Sequence, residues 1–124
     1  MRHGLIQEVT EAIENELSAA NKAFPGFNST HEGYAVILEE AQETEDEMRK
    51  TGMNLNALWQ ATRMNQSPKQ IREIAEAIRE SARDMAAEAI QTAAMAEKLI
   101  QYTERQEGCL LYTSPSPRDR TRSR

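Results

Sequence analysis

Apolar side chains recur every three or four residues along most of this chain, and that spacing predicts helices. Leu5, Val9, Ala12, Ile13, Leu17 and Ala20 form one stripe, so a first helix is expected over residues 5–23. Its solvent face carries Glu8, Glu11, Glu14 and Lys22. The stretch FPGFNST then breaks the pattern, because Pro25 and Gly26 are strong turn residues. Ser29 with Glu32 three positions on has the form of a capping box, so a second helix begins near Thr30. Tyr34, Ile37, Leu38, Ala41 and Met48 make its apolar stripe, to about Lys50. Gly52 is expected to kink or interrupt it, since glycine inside a helix costs about 1 kcal/mol. The pattern resumes at Leu55, Leu58, Trp59 and Thr62. In the turn Asn65-Gln66-Ser67-Pro68, Ser67 can cap the next helix and Pro68 suits its first position. One long helix follows over 68–106, carried by Ile71, Ile74, Ile78, Ala82, Met85, Ala86, Ile90, Ala93 and Ile100.

The fold class is therefore all-α: a helical hairpin or bundle of three to five helices. Composition agrees, being rich in Ala, Met, Glu, Gln and Arg and 5% aromatic. A chain of 124 residues argues for one domain. Folding at this size buries only about 60–65% of the unfolded surface, so completion by oligomerisation is expected. Residues 108–124 have no helical period, and CLLYTSPSPRD resembles a translated sequencing adapter. The domain is accordingly assigned to 1–107, with 108–124 a non-native, disordered tail.

Net charge is −5, and −8 without that tail, whose charges are four Arg and one Asp. An acidic body disfavours a nucleic-acid partner held through phosphate charge; phosphate handling here needs a cation as intermediary. No run of about 18 apolar residues is present, so no membrane span is expected. The N-terminus lacks the apolar segment of a signal peptide, and one cysteine excludes an internal disulfide. The expected location is cytoplasmic.

The charge is concentrated. In Glu39–Glu47, six of nine side chains are carboxylates. Positions i, i+3 and i+4 are neighbours on a helix, so Glu39, Glu40 and Glu43 cluster on one side. The bland reading is a solvated acidic face. The chemical reading is a divalent-cation site, because Mg²⁺ favours oxygen ligands and is often shared with substrate phosphates. Hairpin geometry brings in a partner. Glu43 lies 23 residues before Gln66 and Glu88 lies 22 after it. At about 1.5 Å per residue both stand some 30 Å from the turn, level across an antiparallel pair. Asp84, Glu88, Gln91 and Met95 share one stripe, opposite Ala86, Ile90, Ala93 and Ile100.

The segments HEGYAVILEEAQE and EAIQTAAMAEKLI resemble the small, often phage-encoded MazG-like proteins, all-α nucleoside triphosphate pyrophosphohydrolases. That family's pattern is E-E-x-x-E on one helix and E-x-x-D on the next. Glu39, Glu40 and Glu43 match the first; Glu88 matches the start of the second, with Gln91 where the family has Asp. The resemblance spans about residues 5–105. It implies a homodimer or higher homo-oligomer that splits a nucleoside triphosphate into monophosphate and pyrophosphate. It implies Mg²⁺, with Mn²⁺ as the alternative ion, on Glu40, Glu43 and Glu88. Glu39 would be a further ligand or the water-orienting base. Gln91 can ligate only through its amide oxygen, and Asp84, one turn before Glu88, can supply the missing charge. Lys22, Phe27 and His31, with Asn21 and Phe24, lie near the turn entering the acidic helix and are candidates for substrate contact. The plainer readings are a helix-start residue for His31, a core or interface anchor for Trp59, and core packing for Met64, Met85 and Met95. Two rival functions stand beside the enzyme: a catalytically inactive binding module of the same fold, and a coiled-coil hairpin with solvated acid faces.

Overall fold

The computed structural model describes residues 2–112, and every element in that span is helical. Helix α1 is Arg2–Ala23, α2 is Thr30–Arg63 and α3 is Pro68–Tyr112. Local chemistry explains the ends. Ser29 Oγ accepts from Glu32 N at 3.0 Å, while Glu32 Oε1 accepts from Asn28 N at 2.7 Å. Ser67 and Gln70 form the reciprocal version: Ser67 Oγ accepts from Gln70 N at 3.3 Å and Gln70 Oε1 from Ser67 N at 3.1 Å. Helix α2 stops where Asn65 turns left-handed at φ 49°. Asn65 N then donates to Thr62 O and Gln66 N to Ala61 O, which satisfies two of the end carbonyls of the helix.

Gly52 does not interrupt α2, which runs unbroken for 34 residues. The intrinsic cost of one glycine is smaller than what flanking contacts return: Thr51 Oγ1 and Ser81 Oγ share a 2.8 Å hydrogen bond across the hairpin on the adjacent position. Likewise α3 does not end near residue 106 but continues through Gly108 to Tyr112. Residues 113–124, most of the expected tail, lie outside the described residues.

Helices α2 and α3 form the antiparallel hairpin, and α1 lies against α3. The register is symmetric about Gln66. A Cβ on Gly33 would meet Leu99 and Phe27, Thr51 meets Ser81, and both pairs are equidistant from the turn. Helix α1 runs in the same sense as α3, with Glu16 at Gln91 and Asn21 at Gln101.

The core is thin. Leu17, Phe27, Ala61 and Ala94 are its buried apolar residues, and among the described residues no large side chain is completely buried. The buried line of α3 is Ser81, Ala94 and Lys98 rather than the expected Ala86–Ile100 stripe; Ala86 and Ile100 are exposed. Helix α3 touches both other helices, so its small residues take the crowded positions. Of the three methionines expected in the core, Met85 and Met95 are only half-buried, and Met64, at the C-cap of α2, is exposed. Tyr34, Met48 and Leu55 repeat at multiples of seven along α2, joined by Leu38 and Trp59, and all five are exposed. No helix among the described residues is long and apolar enough to cross a membrane.

Candidate metal centre

The hairpin register sets this site. Glu40 and Glu43 come from adjacent turns of α2, and Glu88 faces them from α3. One oxygen from each lies within 4.8 Å of the other two. Oxygens bound to a common Mg²⁺ at 2.0–2.1 Å can be at most about 4.2 Å apart. Adjacent ligands on such an ion stand only about 2.9 Å apart, so the three carboxylates would have to draw together by more than an ångström to share one.

Its electrostatics are those of carboxylates short of a counter-charge. Burial pushes the Glu40 carboxyl above its ordinary value, and the charge of Glu43 adds to the shift; a hydrogen bond with Glu88 opposes them. Glu43 is raised first by its hydrogen bond to Glu88 and then by the Glu88 charge. Burial and mutual repulsion thus disfavour the charged forms of Glu40 and Glu43, as expected of carboxylates placed this close.

Gln91 sits among them. Its amide lies 3.3 Å from Glu16 Oε1 on α1. With the amide turned to its better-satisfied orientation, Nε2 donates to Glu40 Oε2 at 2.9 Å and to Glu88 Oε2 at 3.2 Å. The other sequence candidates lie further out. Glu39 is exposed and outside the three-carboxylate group, close enough for its charge to act on Glu40. Asp84 is also outside that group, with Oδ1 accepting from Arg83 at 3.3 Å. Lys22 and His31 are exposed. Phe27 is buried at the α1–α2 turn, 4.9 Å from the Lys98 ammonium to the ring centroid.

The groove between α2 and α3 continues on both sides of the carboxylates. On the side toward the α2–α3 turn, a cavity of about 590 Å³ is lined by Glu43 and Glu88 together with Arg49 and Lys50. Lys50 pairs with Glu47 at 2.9 Å, and Arg49 with Asp46 at 3.0 Å. On the other side, a cavity of about 430 Å³ opens under the α1–α2 turn, with Phe24, Phe27, Val36, Met95 and Lys98 in its wall.

Four residues of this region were not visible to sequence reasoning. Glu16 had one signal, its place next to Leu17, the buried residue of α1. Arg49 and Lys50 lie within two turns of Glu43 on α2. Lys98 had no signal, because a lysine in a helical pattern reads as solvent-facing. Comparison with protein families, with curated proteins and with solved structures returns no match.

Proposed function

We propose that the protein is a cytoplasmic, Mg²⁺-dependent nucleoside triphosphate pyrophosphohydrolase of the MazG-like type, acting as a homodimer or larger homo-oligomer. The observation that carries the reading is the meeting of Glu40, Glu43 and Glu88 from two helices within 4.8 Å. A divalent ion held there would neutralise phosphate oxygens and the charge that develops as the anhydride breaks.

The chain's own groups do the rest. Glu40, Glu43 and Glu88 hold the ion, and Gln91 fixes the rotamers of Glu40 and Glu88 through its amide. Glu39, exposed beside Glu40, is the carboxylate free to take a proton from the attacking water. Arg49 and Lys50, in the wall of the adjoining cavity, can exchange their carboxylate partners for phosphate oxygens. The Arg49–Asp46 pair is exposed on both sides, the kind that contributes little and breaks readily, while the Lys50 pair has an exposed ammonium on a partly shielded Glu47. The self-association face is the exposed apolar line on α2, since a run of exposed large apolar side chains marks an interaction surface.

Release of pyrophosphate and monophosphate from a panel of common and modified nucleoside triphosphates tests the reading. Turnover is expected with Mg²⁺, none with EDTA, and a loss of at least a hundredfold in Glu88→Gln. Failure of every triphosphate to turn over, together with no change in melting temperature on adding Mg²⁺, refutes it. The second reading, a non-hydrolysing binding module, is favoured by Gln91. Its amide satisfies two carboxylates without a cation and cannot act as a base. Nucleotide binding without pyrophosphate release identifies that case.

A further inference from the structure

We propose that Glu16 of α1 is a positioning residue for the cation site: it decides which end of the Gln91 amide faces Glu40 and Glu88. This rests on the metal-dependent reading above and adds a control on that same site from the first helix.

A primary amide has one donor end and one acceptor end. Gln91 is half-buried on α3 and has carboxylates on both sides. Glu16 Oε1 stands 3.3 Å from one end of its amide. Glu40 Oε2 and Glu88 Oε2 stand 2.9 Å and 3.2 Å from the other. An ionised carboxylate only accepts, so one side always meets the amide oxygen. With Nε2 toward Glu40 and Glu88, two hydrogen bonds form and Oε1 is left against Glu16. With Nε2 toward Glu16, one hydrogen bond forms and Oε1 is left against the pair. The first arrangement is the better satisfied in the ion-free chain, and it is the hold on the two rotamers described above.

A cation changes the balance. Carboxylate oxygens engaged by an ion no longer call for the amide donors, and an amide oxygen is favoured beside positive charge. The second arrangement then gains, and Glu16 is the acceptor that keeps Nε2 satisfied in it. Glu16 also opposes the first arrangement, where its carboxylate is set against Oε1. Both effects lean the same way, so Glu16 raises cation affinity by acting through Gln91. Such a bias enters the apparent affinity directly, since binding weakens as the ready arrangement becomes rarer. The surroundings of Glu16 suit the role. It is half-buried, whereas Glu8, Glu11 and Glu14 on the same helix are exposed. The adjacent Leu17 is the buried residue that anchors this turn of α1. Its charge is close enough to act on Glu40. The device depends on the carboxamide, because an acidic residue at 91 has no donor end for Glu16 to hold.

NMR and calorimetry on the full chain, with Mg²⁺ alone as the probe, test this without turnover. In the metal-free wild type the Gln91 NH₂ protons should show NOEs to the Glu88 side chain; with saturating Mg²⁺ they should show NOEs to Glu16 instead. Mg²⁺ affinity should fall about tenfold in Glu16→Gln, the scale of one hydrogen bond to a charged group. In a Gln91→Met background the same change should cost less than about threefold, the effect of a screened charge alone, because no amide is left to orient. An equal loss in both backgrounds marks a through-space charge effect and overturns the proposal; so do NH₂ contacts that stay put on adding Mg²⁺. If Glu16→Gln does not fold, the wild-type NOEs decide. A wild type that binds no Mg²⁺ overturns this inference together with the enzyme reading. Mg²⁺ binding and turnover that ignore Glu16 sink this inference alone. An amide that turns with Mg²⁺ in a chain that hydrolyses nothing sinks the enzyme reading alone.

Discussion

Leu17→Ala is the most informative single change to the fold, because Leu17 is the buried residue of α1 and α1 walls both parts of the candidate site. It places Glu16 Oε1 3.3 Å from the Gln91 amide, and it contributes Ala20 and Ala23 to the cavity under the turn. The substitution removes three carbons. At about 0.8 kcal/mol per buried CH₂, transfer alone accounts for about 2.4 kcal/mol. Leu17 is 9% exposed, which trims this to about 2.2 kcal/mol. A residual void adds to it, but α1 packs against α3 alone and can settle inward, so the total belongs at the low end of the Leu→Ala range, about 2–3 kcal/mol. Unfolding entropy near 2.1 cal/mol/K per residue gives about 0.25 kcal/mol/K for this chain, hence a fall in Tm of about 10 °C. Circular dichroism melts measure the shift, and hydrogen exchange locates it: protection should fall first in residues 2–23 while α2 and α3 keep theirs. A Tm change under about 3 °C, or exchange that rises uniformly, refutes the packing of α1 described above and with it the role of Glu16 and the cavity wall.

Two further predictions concern the carboxylates and the exposed face. Glu40 and Glu43 have carboxyls raised above 4.5 in the folded, metal-free protein. The fold therefore favours their protonated forms. That contribution is fully present below about pH 4.5 and is lost as pH rises through the folded values. In EDTA, the wild type should lose stability relative to Glu43→Gln between pH 4.5 and neutrality, and Mg²⁺ at pH 7.5 should reverse the order; parallel melting curves at all pH values contradict the clustered geometry. Trp59 is 58% exposed on the heptad-spaced line of α2. Trp59→Glu should convert a dimer or larger assembly to monomer in sedimentation velocity while helicity is retained, and a wild type that sediments as a monomer at micromolar concentration removes the proposed interface.

What could be read from the chain alone follows from local rules. Caps at Ser29 and Ser67, the turn at Asn65 and the three-to-four spacing of apolar residues are decided within a few positions of one another. Two helices joined by a tight turn have nearly fixed register, so residues equidistant from Gln66 meet; counting positions from the turn is therefore enough to bring Glu43 and Glu88 level. The continuity of α2 at Gly52 could not be read this way, because local propensity is outweighed by contacts such as Thr51 with Ser81, thirty residues apart. The placement of α1 was equally invisible. Nothing in the spacing of α1 says that it lies along α3 and brings Glu16 to Gln91, since helix-to-helix placement is settled by surfaces distant in sequence. Lys98 shows the division most clearly: its position in a helix is a local matter, but its burial depends on Phe24 and Phe27, more than seventy residues away, folding over it.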